Sequence, residues 1–382
     1  MALDPEVLEH LLETVRRFVS ERLRPLEGRV AEEDAIPEEV DQEMRELGLY
    51  GLSIPEEYGG LGLTMEEECL VAFELGHTSP AFRSAFGTNV GIGSQGVVMF
   101  GTEEQKERWL PGIASGELVT SFALSEPDAG SDAAAVQTTA IRDGDEYVLN
   151  GAKRYITNAD RADLFTVMAR TDPDTPGARG VTAFVVDADS EGISIGAPEK
   201  KMGQQGAHVC DVYFDDVRVP EKNRLGEEGK GFKVAMQVLD RGRLHISAVA
   251  VGVAERLIED SVEYASEREQ FEQPIIDFQL IQGKLADMKT EALAARSLVL
   301  DTARKRDAGE NVILECAASK YYATEMVGRV ADHAVQIYGG AGYIADYGVE
   351  RFYRDVRIFR LYEGTSEIQQ IIIARELKKR GK

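Results

Sequence analysis

The division of this chain into three successive blocks of residue pattern constrains its fold more than any other feature. The first block, to about residue 120, carries apolar residues at helical spacing. In its first segment these are Val7, Leu8, Leu11, Leu12, Val15 and Val19. Asp4 is a suitable N-cap for that helix, Pro5 suits its first position, and Thr102 is a suitable cap for a later helix. We therefore predict an all-α domain over residues 1–120.

The second block, from Val119 to about Pro220, changes to short runs rich in β-branched and aromatic residues, separated by Gly, Asp and Pro. Such runs predict strands. Asn150-Gly151 is the strongest hairpin signal, because a type I′ turn needs a positive φ at both central positions. We predict a small antiparallel barrel or sandwich over residues 121–225.

The third block follows the glycine-rich segment at residues 224–232 and is helical again. One apolar stripe in it consists of Leu244, Ala248, Val251, Ala254, Ile258, Val262 and Ala265. Four long helices with short connections predict a four-helix bundle over residues 226–382. The fold class is therefore α+β, with helices and strands in separate domains and without the alternation of a doubly wound nucleotide-binding fold.

Charge and cysteine content exclude several classes of function. The formal net charge of −24 would repel nucleic acid and anionic membrane surfaces. The three cysteines are far apart and the five histidines never fall at metal-ligand spacing, so we expect neither a disulfide framework nor a metal site. The N-terminus has no apolar core of a signal peptide, and no apolar run is long enough to span a bilayer. We expect a cytoplasmic protein with no membrane insertion.

Glu363, between Tyr362 and Gly364, permits two interpretations. Acidic residues favour the start of a helix, where they face the positive end of its dipole. However, Glu363 precedes the hydroxyl residues that would cap the helix, and the apolar run before it suggests burial. A buried carboxylate has a raised pKa and suits general-base chemistry. The residues alone leave the two interpretations evenly balanced.

Three other segments could line a ligand site, although each also has an ordinary structural explanation as a turn, a strand or a helical ion pair. The side chains concerned are Ser125 and Ser131 in "ALSEPDAGSD", Tyr155 and Thr157 in "RYITN", and Asp240 and Arg243 in "DRGR".

Six motifs together carry a resemblance that no single motif would support. They are "SEPDAGSD", "NGAKRYITNA", "REQF", "QIYGGAGY", "RDVRI" and "YEGTSEIQ". In their order and spacing the chain resembles the acyl-CoA dehydrogenase family along essentially its whole length. The resemblance implies a helical domain, a β domain and a C-terminal bundle, non-covalently bound FAD, and a homotetramer built as a dimer of dimers.

The resemblance also implies roles for individual residues. Glu363 would remove the α-proton of an acyl-CoA thioester while the β-hydrogen leaves as hydride to flavin N5, which gives a trans-2-enoyl-CoA. Electrons would pass to an electron-transferring flavoprotein, in fatty acid or amino acid catabolism. Residues implied to contact FAD within one chain are Phe122, Leu124, Ser125, Gly130, Ser131, Tyr155, Ile156, Thr157, Thr365 and Glu367. Residues implied to reach FAD, typically from a neighbouring subunit, are Arg268, Gln270, Phe271, Phe278, Gln279, Gln336, Gly339 and Gly340. Residues implied to line the acyl-CoA site are Ser131, Asp240, Arg243 and Gly364.

Some features of this sequence depart from the family pattern or concern the substrate. Some subfamilies carry the base at the position of Gly242, which has no side chain here. Glu272 stands where the family usually has glycine. Arg83 matches an arginine that glutaryl-CoA dehydrogenases use for a distal carboxylate, although Gly76 replaces their glutamate; the other interpretation of Arg83 is a salt bridge. A short-chain or dicarboxylic acyl-CoA is thus a hypothesis, with β-elimination or a non-enzymatic scaffold role as alternatives.

Overall fold

The computed structural model describes residues 2–381, and its first 115 residues are helical as predicted. The helices are α1 (Pro5–Phe18), α2 (Glu27–Glu33), α3 (Glu38–Glu46), α4 (Met65–Leu75), α5 (Pro80–Val90), α6 (Gln95–Phe100) and α7 (Glu103–Ser115). The predicted caps are confirmed, since the side chains of Asp4 and Thr102 accept hydrogen bonds from the amides of Glu6 and Gln105. Every residue of α5 is buried, which makes it the central helix of this domain.

The strands form one mixed sheet of eight strands. They are β1 (Thr120–Ala123), β2 (Thr139–Asp143), β3 (Glu146–Thr157), β4 (Leu164–Arg170), β5 (Val181–Asp187), β6 (Ile193–Ile195), β7 (Val209–Pro220) and β8 (Arg224–Leu225). Seven of them follow the order β6-β7-β3-β2-β4-β5-β8, and β1 lies off this path. Most neighbours are antiparallel as predicted, but β4 pairs in parallel with β2 and with β1, the latter in register from Thr120–Leu164 to Ala123–Val167. Because β1 and β4 run in the same direction, the segment after β1 leaves the sheet on the side toward which β4 runs.

The predicted hairpin turn at Asn150-Gly151 is wrong. Both residues lie inside β3, and the turn between β2 and β3 is instead Gly144-Asp145, flanked by the pair Asp143 and Glu146. At Asn150-Gly151 the register of β3 against β7 shifts, and Asn150 exchanges two hydrogen bonds of 2.9 Å with Asp216 of β7. The dipeptide therefore forms a β-bulge, which uses the conformational freedom of glycine in the same way as a turn does.

The last block is a helical bundle with one small hairpin. Its elements are α8 (Gly231–Glu267), β9 (Glu269–Gln270), β10 (Gln273–Pro274), α9 (Gln279–Asp307), α10 (Ile313–Tyr338), α11 (Val349–Asp355) and α12 (Ser366–Arg380). The predicted stripe of α8 is buried except for Val262, which is 39% exposed. The bundle core also takes in Met65, Cys69 and Phe73 of α4, so the two helical blocks share apolar packing. Across residues 2–381, none of the helices combines the length and apolarity that crossing a bilayer requires.

Candidate active site

A cavity of about 1290 Å³ lies where the three blocks meet. Its walls come from α5, the segment after β1, the end of β3, the first third of α8 and the loop before α12. The residues from the sequence analysis that line it are Arg83, Phe122, Leu124, Ser125, Gly130, Ser131, Tyr155, Ile156, Thr157, Arg243, Glu363, Gly364 and Thr365. Segments far apart in the sequence thus meet around one space.

Other residues from the sequence analysis do not line this cavity. Asp240 forms an ion pair with the lining residue Arg243 at 2.6 Å, and its role as a substrate contact stays a prediction. Glu367 is exposed in the first turn of α12. The residues implied to reach FAD from a neighbouring subunit lie on or near the surface of the bundle, with Phe271 88% exposed. Their role stays a prediction about an assembled protein.

The loop that carries Glu363 is held in an unusual backbone conformation. Glu363 has φ +55°, in the left-handed region, and Gly364 has φ +95°. The carbonyl oxygen of Glu363 accepts hydrogen bonds from Arg243 Nε at 3.1 Å and Gln369 Nε2 at 3.2 Å. The carbonyl oxygen of Gly364 accepts from Lys320 Nζ at 2.8 Å and from Gln369 Nε2 at 2.9 Å. Three buried side chains therefore fix both carbonyl groups toward the bundle. A non-glycine residue kept in this region costs conformational energy and often marks a functional site.

The carboxylate of Glu363 faces the cavity without a partner. Its Oε2 atom is buried and has no hydrogen bond within residues 2–381. Burial raises the pKa of Glu363, while the positive charges of Arg83, Lys320 and Arg243 act in the opposite direction. The cap of α12 is Thr365, whose hydroxyl accepts from the amide of Ile368. Glu363 therefore does not serve the start of the helix, and a buried carboxylate with an open oxygen is arranged to take a proton.

Arg83 and its neighbours form a further wall of the cavity, near enough to Glu363 for the charge of Arg83 to favour its ionised form. Arg83 is only 9% exposed, and its Nε donates to Nε2 of His245 at 3.0 Å. No carboxylate lies within salt-bridge distance of Arg83 in residues 2–381, so the interpretation of Arg83 as a salt-bridge residue is not realised. Its guanidinium packs on Gly87, where an added Cβ would lie 2.9 Å from Cζ. A buried cation is therefore available to a ligand in the cavity.

The segment after β1 is held by a lysine that the sequence analysis missed. Lys153 of β3 is fully buried, and its Nζ donates to Glu126 Oε1 at 2.7 Å and to the carbonyl oxygen of Leu124 at 3.1 Å. Glu126 also accepts from the amides of Gln137 and Thr138. Burial lowers the pKa of Lys153 to about 8. The signal was present in β3, where Lys153 falls an even number of residues after the buried Tyr147 and Leu149, the spacing expected for one face of a strand.

Two hydroxyls and an aromatic ring on this side of the cavity fit a planar polar ligand. The hydroxyls of Ser125 and Thr157 make no hydrogen bond to protein within residues 2–381, and both residues line the cavity. The ring of Tyr155 is 60% exposed and follows a bulge in β3 at which Tyr155 has φ +58°. The guanidinium of Arg154 lies over this ring, with its Cζ 5.0 Å from the ring centroid. The two hydroxyls and the exposed ring are groups that could hold the flavin of FAD, so the residues present fit this cofactor.

Comparison with known proteins identifies the whole chain. Models of the N-terminal, middle and C-terminal domains of acyl-CoA dehydrogenases match residues 5–117, 121–217 and 229–378. The chain is 44% identical to an acryloyl-CoA reductase (NADH) of Anaerotignum propionicum, over 97% of this chain and 94% of the relative. It is 41% identical to an acyl-CoA dehydrogenase of Bacillus subtilis, over 95% and 96%. The structure of butyryl-CoA dehydrogenase from Megasphaera elsdenii superimposes with a TM-score of 0.94 at 37% identity, over 99% of both chains.

Proposed function

This chain belongs to the acyl-CoA dehydrogenase family, and we propose that it oxidises the Cα–Cβ bond of an acyl-CoA thioester with Glu363 as the base. The family is FAD-dependent, which makes FAD the cofactor and the protein an oxidoreductase acting on CH–CH groups. One observation carries the proposal for Glu363: a buried carboxylate oxygen without a protein partner faces a cavity that joins all three blocks.

Removal of an α-proton requires a base of suitable strength and a polarised thioester carbonyl. Burial raises the pKa of Glu363 and thereby strengthens it as a base, while Arg83 and Lys320 favour its ionised form. Both carbonyl groups of the Glu363–Gly364 segment are turned toward the bundle, and the amide N–H of Glu363 has no acceptor within residues 2–381. We infer that this N–H donates to the thioester oxygen and stabilises the charge that develops there.

FAD supplies the two-electron acceptor when it is bound. Ser125 and Thr157 would hydrogen-bond its ring system, with Tyr155 and Ile156 packed beside it. The ion pair of Lys153 with Glu126 fixes the position of the segment that carries Ser125. The substrate enters on the other side of this position, between Glu363 and Arg83.

The proposed substrate is a short acyl-CoA, with a carboxylate at the far end of the acyl group as the specific hypothesis. Arg83 is a buried guanidinium that lacks an acidic partner within residues 2–381. An unpaired buried charge is unfavourable, and a bidentate carboxylate is its best-matched partner. A substrate carboxylate would therefore offset the cost of keeping Arg83 there.

Reduction of a 2-enoyl-CoA is a second candidate, because the acryloyl-CoA reductase relative is 44% identical over nearly the whole chain. By microscopic reversibility Glu363 would then deliver a proton to the α-carbon. The same site serves both directions, so the chemistry of the residues does not separate them. We propose an electron-transferring flavoprotein as the electron partner, which is compatible with both directions, because a relative 41% identical to this chain is a subunit of a caffeyl-CoA reductase-Etf complex.

One experiment separates these functions. The purified FAD-containing protein is mixed anaerobically with saturated acyl-CoAs from C4 to C16 and with dicarboxylic acyl-CoAs, and the flavin absorbance is followed. Bleaching by a saturated acyl-CoA supports dehydrogenation. Reoxidation of the chemically reduced protein by a 2-enoyl-CoA, without bleaching by any saturated acyl-CoA, supports reduction. The absence of both would contradict the proposed function and favour β-elimination or a scaffold role.

We also propose that the protein assembles as a homotetramer. The bundle exposes large apolar side chains, with Phe271 88%, Tyr343 85% and Leu280 82% exposed. Exposed apolar groups of this size mark interaction surfaces. Light scattering of the FAD-bound protein tests the assembly state directly.

A further inference from the structure

Four charged or polar side chains form a buried chain of contacts next to the acyl end of the cavity. Arg83 lies on α5, Glu68 on α4, and Arg241 and His245 on α8. Glu68 is 1% exposed and bonds both Arg241 and His245, which are one helical turn apart. All four residues line the cavity. Such an assembly is costly to bury, and it is not fully satisfied internally, because the buried Nε of Arg241 has no hydrogen-bond partner within residues 2–381.

The direction of each hydrogen bond in this chain is fixed by chemistry. The Nε of Arg83 is a donor only, so Nε2 of His245 must be the acceptor at 3.0 Å. The proton of the imidazole is then on Nδ1, which donates to Glu68 Oε1 at 2.7 Å. If His245 were protonated, its Nε2–H donor would face the Nε–H donor of Arg83, with no acceptor between them. Burial and the charge of Arg83 lower the pKa of His245, in agreement with a neutral ring.

The charges in this chain do not balance. Glu68 is one carboxylate, whereas Arg83 and Arg241 are two guanidinium groups and His245 is neutral. Arg241 contacts Glu68 directly, so Arg83 is the guanidinium that has no carboxylate within salt-bridge distance, and Glu363 acts on it only from farther away. The Nε of Arg83 is occupied by His245, and its terminal nitrogens have no hydrogen-bond acceptor within residues 2–381. Gly87 leaves the space in which the guanidinium lies. The two terminal nitrogens are therefore free for a ligand that carries negative charge.

We propose that His245, oriented by Glu68, is a positioning residue that presents the terminal nitrogens of Arg83 to a carboxylate at the distal end of the acyl group. This inference rests on the proposed function, because it concerns the acyl end of the same cavity. His245 and Glu68 need not touch the substrate. They act by fixing which edge of the guanidinium faces the ligand and by leaving its terminal nitrogens without a hydrogen-bonded partner.

The test measures binding separately from turnover. The Glu363→Gln holoenzyme is used as the parent because it lacks the base, and the dissociation constants of glutaryl-CoA and butyryl-CoA are measured by isothermal titration calorimetry. We compare His245→Leu, which removes the acceptor, with His245→Gln, whose amide oxygen can replace Nε2. Glu68→Gln tests the same positioning role in a second way, because it replaces the carboxylate that accepts the Nδ1–H of His245 with a weaker, uncharged acceptor.

A matched control is available in the same chain. His77 is also largely buried between an arginine and acidic groups, with Arg24 Nη2 3.2 Å from its Nδ1 and Glu255 3.8 Å from its Nε2. It does not line the cavity. His77→Leu therefore reports the effect of losing a buried histidine without any effect on the acyl end.

The inference predicts that His245→Leu weakens glutaryl-CoA binding about tenfold or more relative to butyryl-CoA, as expected for a lost hydrogen bond to a charged group. His245→Gln should recover most of this difference, Glu68→Gln should lose part of it, and His77→Leu should not change it. Equal weakening of both ligands by His245→Leu would overturn the positioning role. A parent that binds glutaryl-CoA no more tightly than butyryl-CoA would overturn the substrate class. Selective glutaryl-CoA binding without flavin bleaching in the wild type would instead refute only the proposed function.

Discussion

The carboxylate of Glu363 occupies the space directly above Gly242 of α8. A Cβ built on Gly242 would lie 3.1 Å from the Cδ of Glu363 and closer still to its Oε2. Two positions that are far apart in the sequence therefore reach the same point of the cavity, and only one of them can carry a side chain there. A side chain at position 242 would therefore push the Glu363 carboxylate out of this position.

The first prediction concerns the identity of the base. Glu363→Gln should keep FAD bound and the fold intact while it lowers the rate of flavin reduction by about a hundred- to ten-thousandfold, the usual contribution of a general base. Stopped-flow absorbance with the best acyl-CoA measures this rate. Substantial residual reduction would mean that another group takes the proton.

The second prediction follows from the shared space. Gly242→Glu alone should abolish activity, because two carboxylates would compete for one position. In a Glu363→Gly background the same Gly242→Glu change should restore part of the activity. The control is Gly242→Gln in that background, which has the same shape without a base. Equal rates for the Glu and Gln variants would show that a carboxylate at position 242 cannot reach the α-carbon.

The third prediction concerns the substrate end of the cavity. Arg83→Ala should raise the KM for a dicarboxylic acyl-CoA by about tenfold or more, since it removes a charged hydrogen-bonding partner, and should raise the KM for butyryl-CoA far less. Arg83→Lys, which keeps the charge but loses the fork of the guanidinium, should give an intermediate value. Steady-state kinetics with both substrates provide the measurement. Equal KM effects would rule out the anionic tail.

Local pattern was sufficient for the order of the domains, because helical and strand periodicity depend on burial of one face. It was misleading at Asn150-Gly151, where the freedom of glycine is used for a bulge rather than a turn. The contacts of Lys153 with Leu124 and of His245 with Glu68 join separate elements, so periodicity can show that these residues face inward but not what they bind. The base of this site could be predicted from a sequence motif. The side chains that position the cavity wall, such as Lys153 and His245, could be identified only from the folded structure.

The fourth prediction concerns the pH dependence of the base. Lys320 is fully buried, and its positive charge favours the ionised form of Glu363. Because the raised pKa of Glu363 sets the acid limb of kcat/KM, loss of a nearby cation should raise that pKa further. Lys320→Met should therefore move the acid limb to higher pH, whereas Lys320→Arg should keep it close to the wild-type position. The full pH profile of both variants is the measurement. A lower kcat without any shift of the limb would show that Lys320 only supports the loop through the carbonyl group of Gly364.

The last prediction concerns the hairpin of β9 and β10. Gln270 pairs with Gln273, so Phe271 and Glu272 form a two-residue turn, and both have positive φ, at +52° and +65°. This is the backbone of a type I′ turn, which favours glycine at the second position. A left-handed conformation costs a residue with a Cβ about 1–2 kcal/mol. Glu272→Gly should thus stabilise the hairpin by about 1 kcal/mol, whereas Glu272→Ala, which keeps the Cβ, should give little gain. Hydrogen exchange of the amides of residues 269–273 measures this local free energy. Slower exchange in the glycine variant alone is the expected result, and equal exchange in both variants would show that the turn is not strained.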